Sequence, residues 1–186
     1  MNDAAMLQIV IQGRGGQGAQ TAGNLLARAF FAEGRQVQAF ASYGGARRGT
    51  PVSSFIRVAE RPIRLRCDIE KADAILCFDA SLLQPPLLAR ARPDTVIVVN
   101  SVHTAAEWRE NLPGYRVLPV DAIGISRSQG LGRIVNSALL GALARALASP
   151  RLEVLRDLLL EGRQGDANAA ACALGYAAAG AEEVSS

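Results

Sequence analysis

The 186-residue sequence has one histidine, His103, one lysine, Lys71, and three cysteines, Cys67, Cys77 and Cys172. With a single imidazole, no His-based metal site or Ser-His-Asp triad can be built with histidine to spare. Three thiols are too few for a four-thiolate iron–sulfur cluster, and no pair has the two-residue gap that clusters and zinc ribbons use. Any redox metal is therefore expected on another chain. Aromatic residues make up 5% of the sequence and do not interleave with the basic ones, which argues against a nucleic-acid surface. No stretch reaches the roughly 18 uninterrupted apolar residues of a membrane helix, and the amino terminus has no basic segment leading into an apolar run. These absences predict a soluble, cytoplasmic protein without membrane contact. A single domain of this length buries enough core to fold without disulfides or a structural metal.

What the sequence has instead is arginine, which supplies nineteen of its twenty basic residues and a net charge of +3. Nine of these (residues 14, 28, 35, 47, 48, 57, 61, 64 and 66) precede Cys67 and face only Asp3, Glu33 and Glu60, whereas the rest of the chain is net acidic. An amino-terminal third this positive implies an anionic ligand or partner on one face.

The chain opens with the β-branched run Leu7–Ile11, followed at once by Gly13-Arg14-Gly15-Gly16-Gln17-Gly18. This reads as a strand ending in a tight loop. Apolar residues then recur at helical spacing from Ala19 to Ala32, Gly34 stops the helix, and Gln36–Phe40 alternates as a second strand parallel to the first. A polar, glycine-rich loop from Ser42 to Pro51 carries Arg47 and Arg48. Val52–Ala59 alternates as a strand with one wetter face, and Ile63–Arg66 alternates again, which predicts an antiparallel edge. Ala74–Phe78 and Thr95–Asn100 are continuous apolar runs suited to central strands, with a helix interrupted near Pro85-Pro86 between them. Tyr115–Val120 is one more strand, and Ile134–Ala148, Leu152–Leu160 and Ala167–Ala179 read as helices. The expected fold is a single α/β domain over residues 1–180, with a mostly parallel twisted sheet, a Rossmann-like start, an antiparallel edge and a helical carboxy-terminal third. Residues 181–186 are expected to fray.

Gly13-x-Gly15-x-x-Gly18 between a strand and a helix has the form of the dinucleotide fingerprint, in which missing side chains admit a phosphate to unpaired helix N–H groups. The acid that should hold a ribose about 20 residues further on is missing, because the second strand runs Val37-Gln38-Ala39-Phe40-Ala41 into Ser42. Both glycine-rich loops leave the sheet at the same end. Such a pair suits a phosphorylated cofactor or a buried interface with an acidic partner. His103 reads as a surface loop residue, Asn136 and Asn168 as backbone ties at helix starts, and Cys77 as a buried thiol.

Together, Gly13–Gly18 with Thr21-Ala22, Ser42-Tyr43-Gly44 and Arg47-Arg48-Gly49-Thr50-Pro51-Val52 resemble the gamma subunit of the 2-oxoacid:ferredoxin (acceptor) oxidoreductases. Ala72-Asp73, Asn100, the Asn136–Gly141 stretch and Asn168-Ala169-Ala170 leading to Gly175-Tyr176 extend the resemblance over nearly the whole chain. The chain departs from the family where the second loop usually has Pro-Glu and here has Gly45-Ala46. Arg47–Pro51 is nearer the pyruvate and 2-oxoisovalerate type than the indolepyruvate branch. The resemblance implies a heteromer with alpha, beta and ferredoxin-like delta subunits, and in some enzymes a flavin/NAD subunit. In such a complex thiamine diphosphate, Mg and [4Fe–4S] clusters lie in the partner chains and coenzyme A is the co-substrate. This chain would be inactive alone, with no catalytic or metal-ligating residue, and would help to form the coenzyme A side. Residues assigned to that side are Gly13, Arg14, Gly15, Gly16, Gln17, Gly18, Thr21, Tyr43, Arg47, Arg48 and Asn100. Arg47 and Arg48 contact either ligand or a partner subunit's carboxylate. A self-sufficient NAD(P)-binding protein and a purely structural interface subunit are the competing readings. The 2-oxo acid, pyruvate or phenylglyoxylate among others, stays open.

Overall fold

The apolar runs become the strands of one six-stranded sheet in a computed structural model that describes residues 6–44 and 49–184. The strands are β1 (Leu7–Arg14), β2 (Gln36–Tyr43), β3 (Pro51–Ala59), β4 (Ala72–Cys77), β5 (Ala91–Asn100) and β6 (Arg116–Val120). The helices are α1 (Ala19–Ala32), α2 (Pro85–Leu88), α3 (Ala105–Asn111), α4 (Ala122–Ser128), α5 (Asn136–Leu147), α6 (Leu152–Leu160) and α7 (Gly165–Val184). The expected helix before β5 is reduced to a 3-10 turn at Ala80–Leu82 and the single turn of α2, whose Pro85 and Pro86 sit where a helix tolerates proline. Helix α3 was not expected, although its capping box, Thr104 with Glu107, is a local sequence signature. No helix among the described residues is long and apolar enough to cross a membrane.

The strand order is β2-β3-β1-β4-β5-β6, and only β3 runs against the others. Strands β1 and β2 therefore point the same way, as expected, but β3 lies between them. The short connection from β2 to β3 favours a hairpin, and the pair keeps an unbroken register from Gln36 opposite Ala59 to Tyr43 opposite Val52. Two sequence expectations change here. The antiparallel strand is one in from the edge, with β2 outermost, and β3 has no wet face. Arg57 is buried under the residues that follow β3, and Ser54, on the other face, is buried against α1, where a Cβ on Gly23 would lie 2.1 Å from its Oγ. Ile63–Arg66 forms no strand. That segment is coil anchored at its far end by Arg57, whose guanidinium donates to the carbonyl oxygens of Cys67 (2.7 Å) and Asp68 (3.2 Å) and to the Gln38 side chain (2.9 Å), while the Gln38 amide donates to the Leu65 carbonyl at 2.6 Å. Arg57 meets neutral acceptors there, and the Phe40 ring lies 5.7 Å away.

One face of the sheet, with Ile9, Ile11, Ile56, Leu76 and Val98, packs against α1 and α5. The opposite face, with Val10, Phe55, Ile75 and Ile97, is covered by Leu82, Leu83 and Leu87 and by Trp108 of α3. Behind the first layer, α6 and α7 pack on α1 and α5 through Ala29, Ala144, Leu155 and Cys172. The contact of α5 with α7 is backbone against backbone. A Cβ on Gly141 would lie 1.9 Å from the Cys172 carbonyl oxygen, and one on Gly175 would lie 1.9 Å from that of Ala138.

Gly141→Ala or Gly175→Ala is expected to lower the unfolding free energy by about 3 kcal/mol, since only a shift of a whole helix relieves the clash. Gly162→Ala, which meets only the Leu159 carbonyl at 3.4 Å, should change it by less than about 1 kcal/mol in the same denaturant titration. Arg57→Leu should release the coil it holds. Trypsin is then expected to cleave at Arg61, Arg64 and Arg66 faster than in the wild type, and an unchanged cleavage pattern would refute this role for Arg57.

Candidate functional site

The carboxyl ends of β1, β4, β5 and β6 open into one cleft of about 1060 Å³, where an open α/β sheet places its ligands. Gly16, Gln17 and Gly18 form one wall. Phe78 and Asp79 follow β4, residues Asn100 to His103 follow β5, and Asp121 follows β6. Arg127 on α4 and the residues Arg133 to Asn136 leading into α5 complete the lining.

The glycine loop is closed by its own atoms. The Gln17 amide donates to the Arg14 carbonyl at 2.9 Å, and the Gln17 side-chain oxygen accepts from the Arg14 amide at 2.6 Å. Gly16 and Gly18 have φ of +92° and +86°, backbone that favours glycine. Gly13 is packed inside the turn, where a Cβ would sit 3.3 Å from Ala19, Gln17 and Phe78 atoms. The Gly15 amide donates to the Thr50 carbonyl at 2.9 Å, which ties this loop to the second one. That contact bears out the expectation that both loops leave the sheet at one end.

Arg14 joins these pieces rather than lining the cleft. Its guanidinium pairs with Asp79 at 2.8 Å and donates to the Ser81 hydroxyl at 2.7 Å and to the Gly49 carbonyl at 3.3 Å. Asp79 in turn accepts from the Ser81 amide (3.0 Å) and hydroxyl (2.6 Å), capping the 3-10 turn. Partial burial opposes ionisation of Asp79, but the Ser81 bonds and the Arg14 charge outweigh it and hold the carboxyl below its ordinary value of 3.8.

Of the other residues read from the sequence, Asn100 lines the cleft and donates to the Phe78 carbonyl at 3.2 Å, tying the ends of β4 and β5. Thr21 lines a separate pocket of about 350 Å³ with Arg28, Asn136 and Asn168. Tyr43 lies on edge strand β2, is exposed, and donates its hydroxyl to Gln20. Arg47 and Arg48 lie outside the described residues. Cys77 and Cys172 are buried, which pushes both thiols up to about 12 and leaves them inert as nucleophiles near neutral pH. Among the described residues, no group of three or more His, Cys, Asp or Glu converges to hold a metal.

Arg127 and Arg133 were not among the site residues expected from the sequence. Both are exposed on the cleft, and among the described residues neither has an ion-pair partner. They flank Gly130-Leu131-Gly132 after the last strand, a pairing of arginines with a glycine turn that could have drawn attention. The amino termini of α1 and α5 reach the same cleft through Gly18 and Asn136, and neither helix has a side-chain cap or an acid in its first turn. Asp121 is occupied with the Gly124 amide at 2.8 Å. His103 is exposed on the rim, 3.5 Å from Glu107. The cleft thus offers bare helix N–H groups, two unpaired guanidinium groups and the exposed apolar side chains of Val102 and Ile134.

Because the Asp79 carboxyl is held below 3.8, its contacts stabilise the fold above that pH and are lost as the pH falls through the depressed value. Asp79→Asn is therefore expected to be less stable than the wild type near pH 7, with the gap narrowing toward about pH 3. Urea unfolding at both values measures it, and a gap that does not change with pH would count against the pairing.

The sequence matches the pyruvate ferredoxin/flavodoxin oxidoreductase family over residues 8–178. It is 40% identical over 173 residues to the pyruvate/ketoisovalerate oxidoreductases common subunit gamma of Thermococcus kodakarensis, covering 89% of this chain and 93% of that protein. The crystal structure of pyruvate oxidoreductase subunit PORC from Thermotoga maritima superposes with a TM-score of 0.81 at 31% identity, covering 92% of this chain and 96% of that one. A 2-oxoglutarate:ferredoxin oxidoreductase from Magnetococcus marinus, solved with 2-oxoglutarate, coenzyme A and succinyl-CoA, shares the fold with a TM-score of 0.76 at 22% identity. That match covers 95% of this chain and 31% of the larger one. The chain belongs to the pyruvate ferredoxin/flavodoxin oxidoreductase family and is of its gamma-subunit type.

Proposed function

We propose that this chain is the gamma subunit of a thiamine-diphosphate- and iron–sulfur-dependent 2-oxoacid oxidoreductase in the cytoplasm, and that it packs beside the active site and helps to form its coenzyme A side. The overall reaction joins a 2-oxo acid and coenzyme A to give acyl-CoA, CO2, one proton and two electrons. Thiamine diphosphate with Mg and the [4Fe–4S] clusters supply decarboxylation and electron transfer from the alpha, beta and ferredoxin-like delta subunits. This chain's part is to bind and orient.

The observation that carries the reading is the meeting of two uncapped helix starts with the unpaired Arg127 and Arg133 on one cleft. Coenzyme A presents a diphosphate and a further phosphate at one end and a long, less polar thiol arm at the other. The helix N–H groups and guanidinium groups suit the phosphates, and Val102 and Ile134 offer apolar contact to the arm. Gly16, Gln17, Gly18 and Asn100 stand where they would touch such a ligand, and Gly13, Arg14 and Gly15 hold the loop in shape. Thr21 and Tyr43 lie off the cleft. Arg47 and Arg48 keep their assignment to ligand or partner carboxylate. A nicotinamide dinucleotide suits the site less well. The strand beside β1 on that side is the antiparallel β3, so the end of β2 lies two strand spacings away, about 10 Å.

In the assembled enzyme, Arg127→Ala and Arg133→Ala are each expected to raise the KM for coenzyme A about tenfold, the loss of one charge-assisted bond to phosphate. The KM for the 2-oxo acid should not move. If neither substitution changes the coenzyme A dependence, the cleft is not the coenzyme A side.

A further inference from the structure

Building on the reading that the cleft holds coenzyme A, we infer that Asn136 is a positioning residue. It joins the starts of α1 and α5 into one anion-binding mouth, and its neutrality determines what the mouth accepts. The two helix starts touch at this side chain. Gly18, the residue capping α1, faces it so closely that a Cβ would lie 2.6 Å from the Asn136 Nδ2. Nδ2 donates to the Gly18 carbonyl at 3.4 Å, a contact open only to glycine at position 18. Asn136 also lines both the main cleft and the smaller pocket, as Ile134 does, so the two residues stand between them.

Two further features set this side chain apart. Its Oδ1 is fully buried and accepts no hydrogen bond, one of two such side-chain atoms among the described residues. A buried oxygen without a donor is normally selected against, since its lost hydration is not replaced. The surrounding electrostatics are also selective. Helices α3, α6 and α7 carry Glu107, Glu153 and Asp166 in their first turns, and α4 is capped by Asp121. Helices α1 and α5 carry no acid there, nor does the single turn of α2, and the α4 cap Asp121 stands on the same cleft with its carboxylate occupied by the Gly124 amide. Aspartate at position 136 would have nearly the same shape and would face two positive helix ends. It would also neutralise them and lose the donor to Gly18. Asparagine keeps the tie and leaves the positive potential for a ligand.

The test is equilibrium binding of coenzyme A, and separately of inorganic pyrophosphate, to the assembled enzyme by calorimetry, with the melting temperature recorded for each variant. Asn136→Ala removes the tie and is expected to weaken both ligands about threefold. Asn136→Asp should weaken both by about ten- to a hundredfold, because a fixed negative charge then sits beside the bound phosphates. A purely structural residue would affect the two variants in step with their melting temperatures. Binding to Asn136→Asp as tight as to Asn136→Ala, while Arg127→Ala and Arg133→Ala still weaken coenzyme A, would overturn the inference alone. If the arginine variants also bind coenzyme A and pyrophosphate like the wild type, the reading of the cleft fails and the inference falls with it.

Discussion

The reciprocal approach of Gly141 and Gly175 sets where α5 lies, and the cleft inherits that position. With a carbonyl oxygen of the facing helix 1.9 Å from where either Cβ would stand, α5 and α7 pack at a separation that admits no side chain at these two positions. Helix α5 is then fixed from both sides, by α7 behind and by the sheet through Ala138, Leu139 and Leu143 in front. Its first residue consequently reaches Gly18 across the chain. Small residues here act over a distance. They fix a helix axis, the axis fixes a helix start, and the start closes one side of the ligand cleft.

Charge is distributed to the same end. An α-helix carries about half a positive charge at its start, and a protein either neutralises it or uses it. In this fold α3, α6 and α7 carry acids in their first turns and α4, whose start also lines the cleft, is capped by Asp121, while the starts of α1 and α5 on the cleft are left bare, as is the single turn of α2. Arg127 and Arg133 add full charges at the rim. Arg14, by contrast, has its charge paired by Asp79 in a half-exposed contact. The positive amino-terminal third therefore does not translate simply into a positive site. Arg57 is buried among neutral acceptors, Arg14 is paired, and two of the site's free guanidinium groups come from the acidic remainder of the chain.

The inserted strand β3 has consequences for both chemistry and shape. It moves β2 to the edge and so separates the end of β2 from the glycine loop. It also brings Pro51 opposite Arg14 and Thr50 against Gly15, so that the second loop braces the first. The glycine loop is thus a rigid piece before any ligand arrives, held by Gln17 within and by Arg14 to Asp79, Ser81 and Gly49 without. Rigid presentation of N–H groups reduces the ordering needed on binding.

The local features were determined by the sequence itself: the strand, glycine turn and helix from Leu7 to Ala32, the central strands at Ile75 and Ile97, and helix α6 with the bounds Leu152–Leu160. These follow from periodicity and backbone preference, which act over a few residues, and the glycine and arginine motifs were specific enough to mark the family. The sequence could not show that β3 would lie between β1 and β2, or that Ile63–Arg66 would be coil over a buried arginine. Alternation within a strand reports its two faces but not which neighbours cover them. Nor could it show that Arg14 would be consumed by an acid 65 residues away, or that Arg127, Arg133 and Asn136 would meet Gly18 at one cleft. Those contacts are between elements far apart in the chain: the pairing of β1 with β4 sets Arg14 beside Asp79, and the packing of α5 between the sheet and α7 carries Asn136 to Gly18.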